Sequence, residues 1–179
     1  PRWGASDTRT PRAGTLQGWF AGGTLAVEAL QVAVDALGTV RANVGPDADP
    51  ALADGHPDGH VVVDLGADEF TRGRPHPMID QHLRIERIHA AGRDPGVGVL
   101  LLDVVLGHGA HADPAGELAP AIADARAAAA DDGRDLAVVV SLCGTDADPQ
   151  GRRAQADRLV DAGASVHASN VDAARTAVG

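Results

Sequence analysis

Three glycine-bearing turns, Gly22-Gly23-Thr24, Gly107 through Asp113, and Gly144-Thr145, each separate an apolar run from a helical pattern. Backbone N–H groups at a helix start have no intrahelical acceptor and sit at the positive end of the helix dipole, so such turns suit a phosphate or carboxylate. One contact of this kind is modest, ~0.3–1 kcal/mol at an exposed site, so tight binding needs several to converge with an arginine. Gly22, Gly23, Thr24, Gly107, Gly109, Gly144 and Thr145 are the candidate donors. Glycine is also what any strand-to-helix connection demands, and both readings stand at this point.

Arg72-Gly73-Arg74-Pro75-His76-Pro77 is the one dense cationic spot in an acidic chain. Its two prolines restrict the backbone, as expected where side chains must be aimed at little entropic cost. Arg72, Arg74 and His76 are therefore candidates for contact with a substrate or phosphate, or else answer Asp68, Glu69 and Asp80. His108 and His111, with Asp113, invite a metal reading, but a pair three apart in a glycine loop lacks zinc-ligand spacing, so no metal is assigned. His108 is the candidate acid. His56, His60, His82, His89 and His167 show no pairing that reads as a site. Cys143 follows an apolar run and is expected to be a buried small residue, and Asp103, inside an apolar run, needs a polar partner.

These residues need a scaffold. Val97 to Leu106 is almost continuously apolar and too short to span a bilayer as a helix, which fits a strand buried on both faces of a parallel sheet. Short strands are expected at Gly18–Ala21, His60–Gly66, Asp135–Ser141 and Ser165–Ala168. Helices are expected from Thr24 to Gly38 with Leu25, Val27, Leu30, Val34 and Leu37 inward, and from Met78 to Ala91 with Ile79, Leu83, Ile85 and Ile88 inward and Arg84 and Arg87 outside or turned to a ligand. Further helices follow Asp113-Pro114, which reads as an N-cap with proline at the first helical position, and occupy about 150–162 and 170–178. Five strand-then-helix repeats give an α/β fold: a flavodoxin-like three-layer α/β/α arrangement with a five-stranded parallel sheet, order 2-1-3-4-5. That order sets the first and third strands side by side, with ligands expected at their carboxyl ends.

Residues 1–16 read as a disordered linker and 17–179 as one domain. The formal charge of −10 with no basic run argues against nucleic acid or an anionic membrane as partner. All fifteen basic residues are Arg, so Schiff-base chemistry and a P-loop lysine are excluded. The single cysteine and the lack of an apolar targeting segment suit a cytoplasmic location, and the first residue, Pro1, suggests a piece of a longer protein.

Gly22 to Leu30, Val62-Asp64-Leu65-Gly66, Arg74 to Asp80, Asp94-Pro95 ahead of Val99 to Gly107, and Cys143 to Asp146 together resemble the carboxy-terminal domain of FdrA-type proteins. The resemblance runs from about residue 17 to 179 and extends more distantly to the CoA-ligase domain of succinyl-CoA synthetase. It implies a flavodoxin-like, CoA-ligase-like domain of an acyl-CoA synthetase-like protein. An amino-terminal CoA-binding domain would precede it and is where CoA would be held; no cofactor is implied for this domain itself. It further implies companion subunits or a homo-oligomer, and a part in oxamate carbamoyltransferase, which interconverts oxalurate plus phosphate with oxamate plus carbamoyl phosphate in purine and allantoin catabolism. The Gly-His-Ala-Gly loop that carries the phosphorylated histidine of succinyl-CoA synthetase corresponds here to Asp146 through Arg153, which contains no histidine. Its phosphohistidine-contacting glutamate falls near Val105. The expected activity is therefore ligase or carbamoyl transfer through an acyl or carbamoyl phosphate. A non-catalytic domain that docks partner subunits is the alternative, and fold analogy alone suggests a flavin-binding module.

Overall fold

The computed structural model describes residues 2–3, 14–53 and 57–179. Its strands are β1 (Arg2–Trp3), β2 (Thr15–Phe20), β3 (Arg41–Ala42), β4 (Val61–Asp64), β5 (Val97–Val105), β6 (Ala137–Cys143) and β7 (Ser165–His167). Its helices are α1 (Gly23–Leu37), α2 (Asp68–Thr71), α3 (His82–Arg93), α4 (Pro114–Asp131), α5 (Arg152–Asp161) and α6 (Asn170–Val178).

The apolar run from Val97 is the middle of the sheet. β5 pairs in parallel with β2 on one side and β6 on the other, with Leu102 opposite Trp19 and Val140. β4 lies outside β2 and β7 outside β6, again in parallel. The full order is β1-β7-β6-β5-β2-β4-β3. Its five inner strands follow the expected 2-1-3-4-5 pattern. The sheet has seven strands rather than five because β3 joins the β4 edge and β1 pairs antiparallel with β7. Two residues are too few to leave an alternation in sequence. β1 falls within the stretch expected as a linker, where the Trp3 ring lies under the Arg152 guanidinium, 5.6 Å from its centroid. Residues 1 and 4–13 of that stretch lie outside the described residues.

Alternation on the buried strands divides the core in two. Trp19, Val61, Val63, Leu100 and Leu102 join Ile88, Leu118, Ile122 and Leu159, the side of α3, α4 and α5. Leu16, Phe20, Val62, Leu101 and Val139 pack against Ala26, Ala29, Ala33, Ala173 and Ala177, the side of α1 and α6. Alanine, not the expected valine, is what α1 buries: Val27 is 47% and Val34 40% exposed. A helix that packs closely on both a sheet and a neighbouring helix favours small side chains at its contact face.

The second expected helix begins four residues later than its apolar pattern suggests. The carbonyl of His76 accepts from the amides of Ile79 and Asp80, which closes a separate turn, and the Asp80 carboxylate then accepts from the His82 amide at 2.8 Å. Ile79 belongs to that turn and is 54% exposed. Leu83 and Ile85 are partly buried against the core, as expected. Arg84 is not outside: it is 1% exposed. Arg87 stacks on Trp19, 5.3 Å from the ring centroid. Asp113 does cap α4, accepting from the Gly116 amide, with Pro114 in the first turn. Among the described residues no helix is long and apolar enough to cross a membrane.

Candidate functional site

β2 and β5 are neighbours running in the same direction, so the turns that follow them open on the same edge of the sheet. Asp103 joins those turns. One of its carboxylate oxygens accepts from the Ala21 amide at 2.8 Å and the other from the Gly22 amide at 3.0 Å. Arg84 Nη2 stands 3.2 Å from the same carboxylate and also donates to the Asp103 carbonyl. Arg84 Nη1 donates to Gln81 Oε1 at 3.1 Å, and Gln81 donates to the Pro77 carbonyl at 3.0 Å. Burial pushes the Asp103 carboxyl up, while the Arg84 charge and the two amides oppose it. The Gly22 amide is thus taken by the protein. Gly23 and Thr24 lie in the first turn of α1, which has no side-chain cap, so their amides face the edge without an intrahelical acceptor.

Asp64, at the end of β4, is a second acid at this edge and was not singled out in sequence. Asn43 holds its backbone from both sides, at 2.8 and 2.9 Å, and its Oδ1 accepts from the Gly66 amide at 2.8 Å. Two glycines wrap the carboxylate. A Cβ at Gly23 would come within 2.8 Å of Asp64 Oδ2, and one at Gly66 within 3.0 Å of Oδ1 and 2.5 Å of His76 Nε2. Neither glycine has positive φ, so what they provide is room. His76 Nδ1 accepts from the Met78 amide at 3.2 Å, which assigns the neutral ring's proton to Nε2, on the side of Gly66 and Asp64. Burial pushes the Asp64 carboxyl above its usual range, with the Gly66 amide and His76 pulling the other way.

The segment after His76 bridges the two glycine turns. Met78 Cε lies 3.7 Å from where a Gly22 Cβ would stand, and the Met78 carbonyl accepts from the His111 amide at 2.7 Å. The β5–α4 loop is itself held on both sides of its tip. Gln150 accepts from the Gly107 amide at 3.1 Å and donates to the carbonyls of Gly107 at 2.8 Å and His111 at 3.1 Å. His111 is occupied locally, its Nδ1 accepting from the Asp113 amide at 3.1 Å and its Nε2 lying 3.4 Å from Glu117. His108 is exposed at the tip, next to Gly109, whose φ of +87° suits glycine and whose hydrogen faces open space.

The third turn is closed by its own acid. Asp148 accepts from the Thr145 amide at 2.6 Å and from the Thr145 hydroxyl at 3.2 Å, and the Gly144 carbonyl accepts from Arg152. The amides of Gly22, Gly107 and Thr145 are therefore engaged, whereas those of Gly23 and Thr24 are not capped. Arg72 and Arg74 are exposed, and Arg74 lines a groove of about 270 Å³ with Leu65, Phe70, Pro77, Leu83 and Glu86, on the α3 side of the loop. None of the three glycine turns lines that groove. Cys143 is exposed, not buried, because it is the last residue of β6 and its side chain clears the neighbouring elements. Among the described residues no three His, Cys, Asp or Glu side chains cluster as a metal site.

The sequence between residues 19 and 178 matches the CoA-ligase family. The chain belongs to the CoA-ligase family. The chain is also similar to the uncharacterized protein YahF of Escherichia coli strain K12, with 39% identity over 163 residues. That match takes in 90% of this chain and 32% of YahF, so the chain spans about a third of the length of its curated relative. The matched span runs from the end of β2 through α6, so the edge built by Asp103, Asp64 and His76 lies inside the CoA-ligase unit, with β1 and the start of β2 ahead of it.

Proposed function

We propose that this CoA-ligase domain holds an acyl or carbamoyl phosphate at the carboxyl edge of its sheet and acts in acyl or carbamoyl transfer as part of an FdrA-type protein. The observation that carries the proposal is the meeting of the α1 amino terminus, the His76–Met78 segment and the His108 loop at one rim, tied by Asp103 to Ala21 and Gly22 and by His111 to Met78. The proposed roles are electrostatic. The amides of Gly23, Thr24 and Gly109 donate to the phosphate or to the developing oxyanion. Arg72 and Arg74, exposed on the loop that carries His76, add positive charge that draws the anion to this side of the domain, and His108 supplies a proton. Two of the three turns favour this rim over the rest of the edge, since Asp148 already closes the third.

CoA is the group the family name implies. The groove at Arg74, about 270 Å³ and bordered by Asp80 and Glu86, is neither large nor cationic enough to enclose a nucleotide-bearing cofactor. CoA therefore does not fit this groove, and an amino-terminal CoA-binding domain is the proposed holder.

At the level of the whole protein, the proposal places the domain in an oxamate carbamoyltransferase assembled with companion subunits. The test is an assay of the full-length protein with those subunits. Phosphate-dependent cleavage of oxalurate to oxamate and carbamoyl phosphate is the expected result. Thioester formation from CoA and simple acids, without any action on oxalurate, sinks the carbamoyl reading; failure of both sinks the enzyme reading.

A further inference from the structure

Among the described residues Asp64 and His76 enter no ion pair, and both side chains pack against glycines. A methyl group at 23 would press on the Asp64 carboxylate, and one at 66 would meet the imidazole, the carboxylate and the Ala21 carbonyl together, so glycine at these positions lets the two side chains stand where they are. Oδ1 of Asp64 spends one lone pair on the Gly66 amide. Its remaining lone pairs face the α1 start, beside Gly23. His76 has its Nδ1 committed to Met78, so Nε2–H is the donor left for a reactant. An acceptor and a donor, both partly exposed, thus stand together beside Gly66 at the carboxyl ends of β4 and β2.

We propose that Asp64 and His76 form an acid–base pair that works on a reactant at this edge of the sheet, with Asp64 as the proton acceptor. The proposal rests on the acyl or carbamoyl phosphate reading and adds to it the group that activates the nucleophile. As an N–H or O–H nucleophile bonds to the acyl carbon, its proton passes to Asp64. The C–O bond to phosphorus-bound oxygen breaks and its electron pair leaves with inorganic phosphate. His76 Nε2–H donates a hydrogen bond to the oxygen that gains charge, and Asp64 then releases its proton to water. Half-burial favours a carboxylate that takes protons more readily than a surface aspartate. The charged groups that act on Asp64 are His76, from its own loop, and Glu69, from α2; α1 contributes the positive end of its dipole.

The experiment uses carboxyl-detected NMR on the 179-residue chain, with sulfate, whose charge is constant across the range, as the anion probe. Asp64 should titrate above the surface aspartates, and His76→Gln should move its midpoint further up by removing a positive neighbour. Asp64→Asn should tighten sulfate binding about threefold to tenfold at pH 7, because a like charge beside the anion is gone. Circular dichroism of both variants reports that the fold is kept. An Asp64 that titrates with the surface aspartates and ignores His76→Gln overturns the pair, as does, where the wild-type chain binds sulfate, an unchanged affinity in Asp64→Asn. Coupled titration in a wild-type chain that binds neither sulfate nor phosphate upholds the pair and overturns the acyl phosphate reading instead.

Discussion

Arg84 Nη2 lies 3.2 Å from Asp103 Oδ1 with both side chains out of water, and the same carboxylate binds the amides of Ala21 and Gly22. One buried pair thus fastens α3, the end of β5 and the entry of α1 to one another. Taking two charges out of water is costly, so such a pair is a weak source of net stability, but removing one partner strands the other. Its consequence is positional: the rim where the two turns meet is set by a network that tolerates little movement.

Arg84→Met should cost about 3–5 kcal/mol in urea unfolding, since it leaves Asp103 buried without its cation. In the Arg84→Met background, Asp103→Asn should recover part of that loss, because the stranded charge is gone although the amide oxygen can accept from only one of the Ala21 and Gly22 amides. A double variant no more stable than Arg84→Met alone would show that the charge of Asp103 is not what Arg84 answers.

Asp64 gives a signature in pH. Its carboxyl is raised in the folded chain, so between the ordinary value of 3.8 and the raised one the folded state binds more protons than the unfolded. Stability contributed by this group is therefore present at low pH and falls as pH rises through that window. Asp64→Asn should remove this fall, so that the difference between variant and wild type grows in favour of the variant from pH 3.8 upward. Parallel stability curves for the two proteins would contradict the assignment.

Gln150 holds the His108 loop by three backbone bonds. Gln150→Ala should lower stability by about 1 kcal/mol and speed hydrogen exchange at the Gly107 and His111 amides while leaving β5 and β6 amides protected. Unaltered exchange at those two amides would mean that the loop keeps its shape without the clamp.

Arg74 separates the two functional readings. It is exposed, so Arg74→Ala should change folding stability by no more than about 0.5 kcal/mol. Activity of the assembled full-length protein should fall at least tenfold with assembly intact, as measured by the oxalurate assay and sedimentation. Loss of assembly instead would favour the docking alternative.

Much of this molecule was legible because burial leaves strong marks. Val97 to Val105 can only be a strand inside a sheet, and five such units with helices between them admit few topologies. What sequence reading missed were features set by pairing across elements. Arg84 stands four residues before Ile88 and seven before Ala91, on the buried stripe of α3, and Asp103 is an acid in an apolar strand; together those positions announce the pair. Asp64 has the same position on β4 that Asp103 has near the end of β5, and that repeated acid was a usable signal. The occupied amides were not legible: which of Gly22, Gly107 and Thr145 would be taken depends on Asp103, Gln150 and Asp148, whose aim is decided only when the turns are built. α1 misled because valine outweighs alanine on any hydrophobicity scale, while its packing face is governed by closeness of approach.

The account as a whole rests on an anion being held where the first and third strands end. Titrating the ¹⁵N-labelled chain with carbamoyl phosphate and following its amide resonances tests this most directly. Saturable shifts at Gly23, Thr24 and Gly109, with the Thr145 amide unmoved behind Asp148, are the predicted result. Unchanged spectra at millimolar ligand, or shifts confined to the Gly144-Thr145 turn, would contradict it.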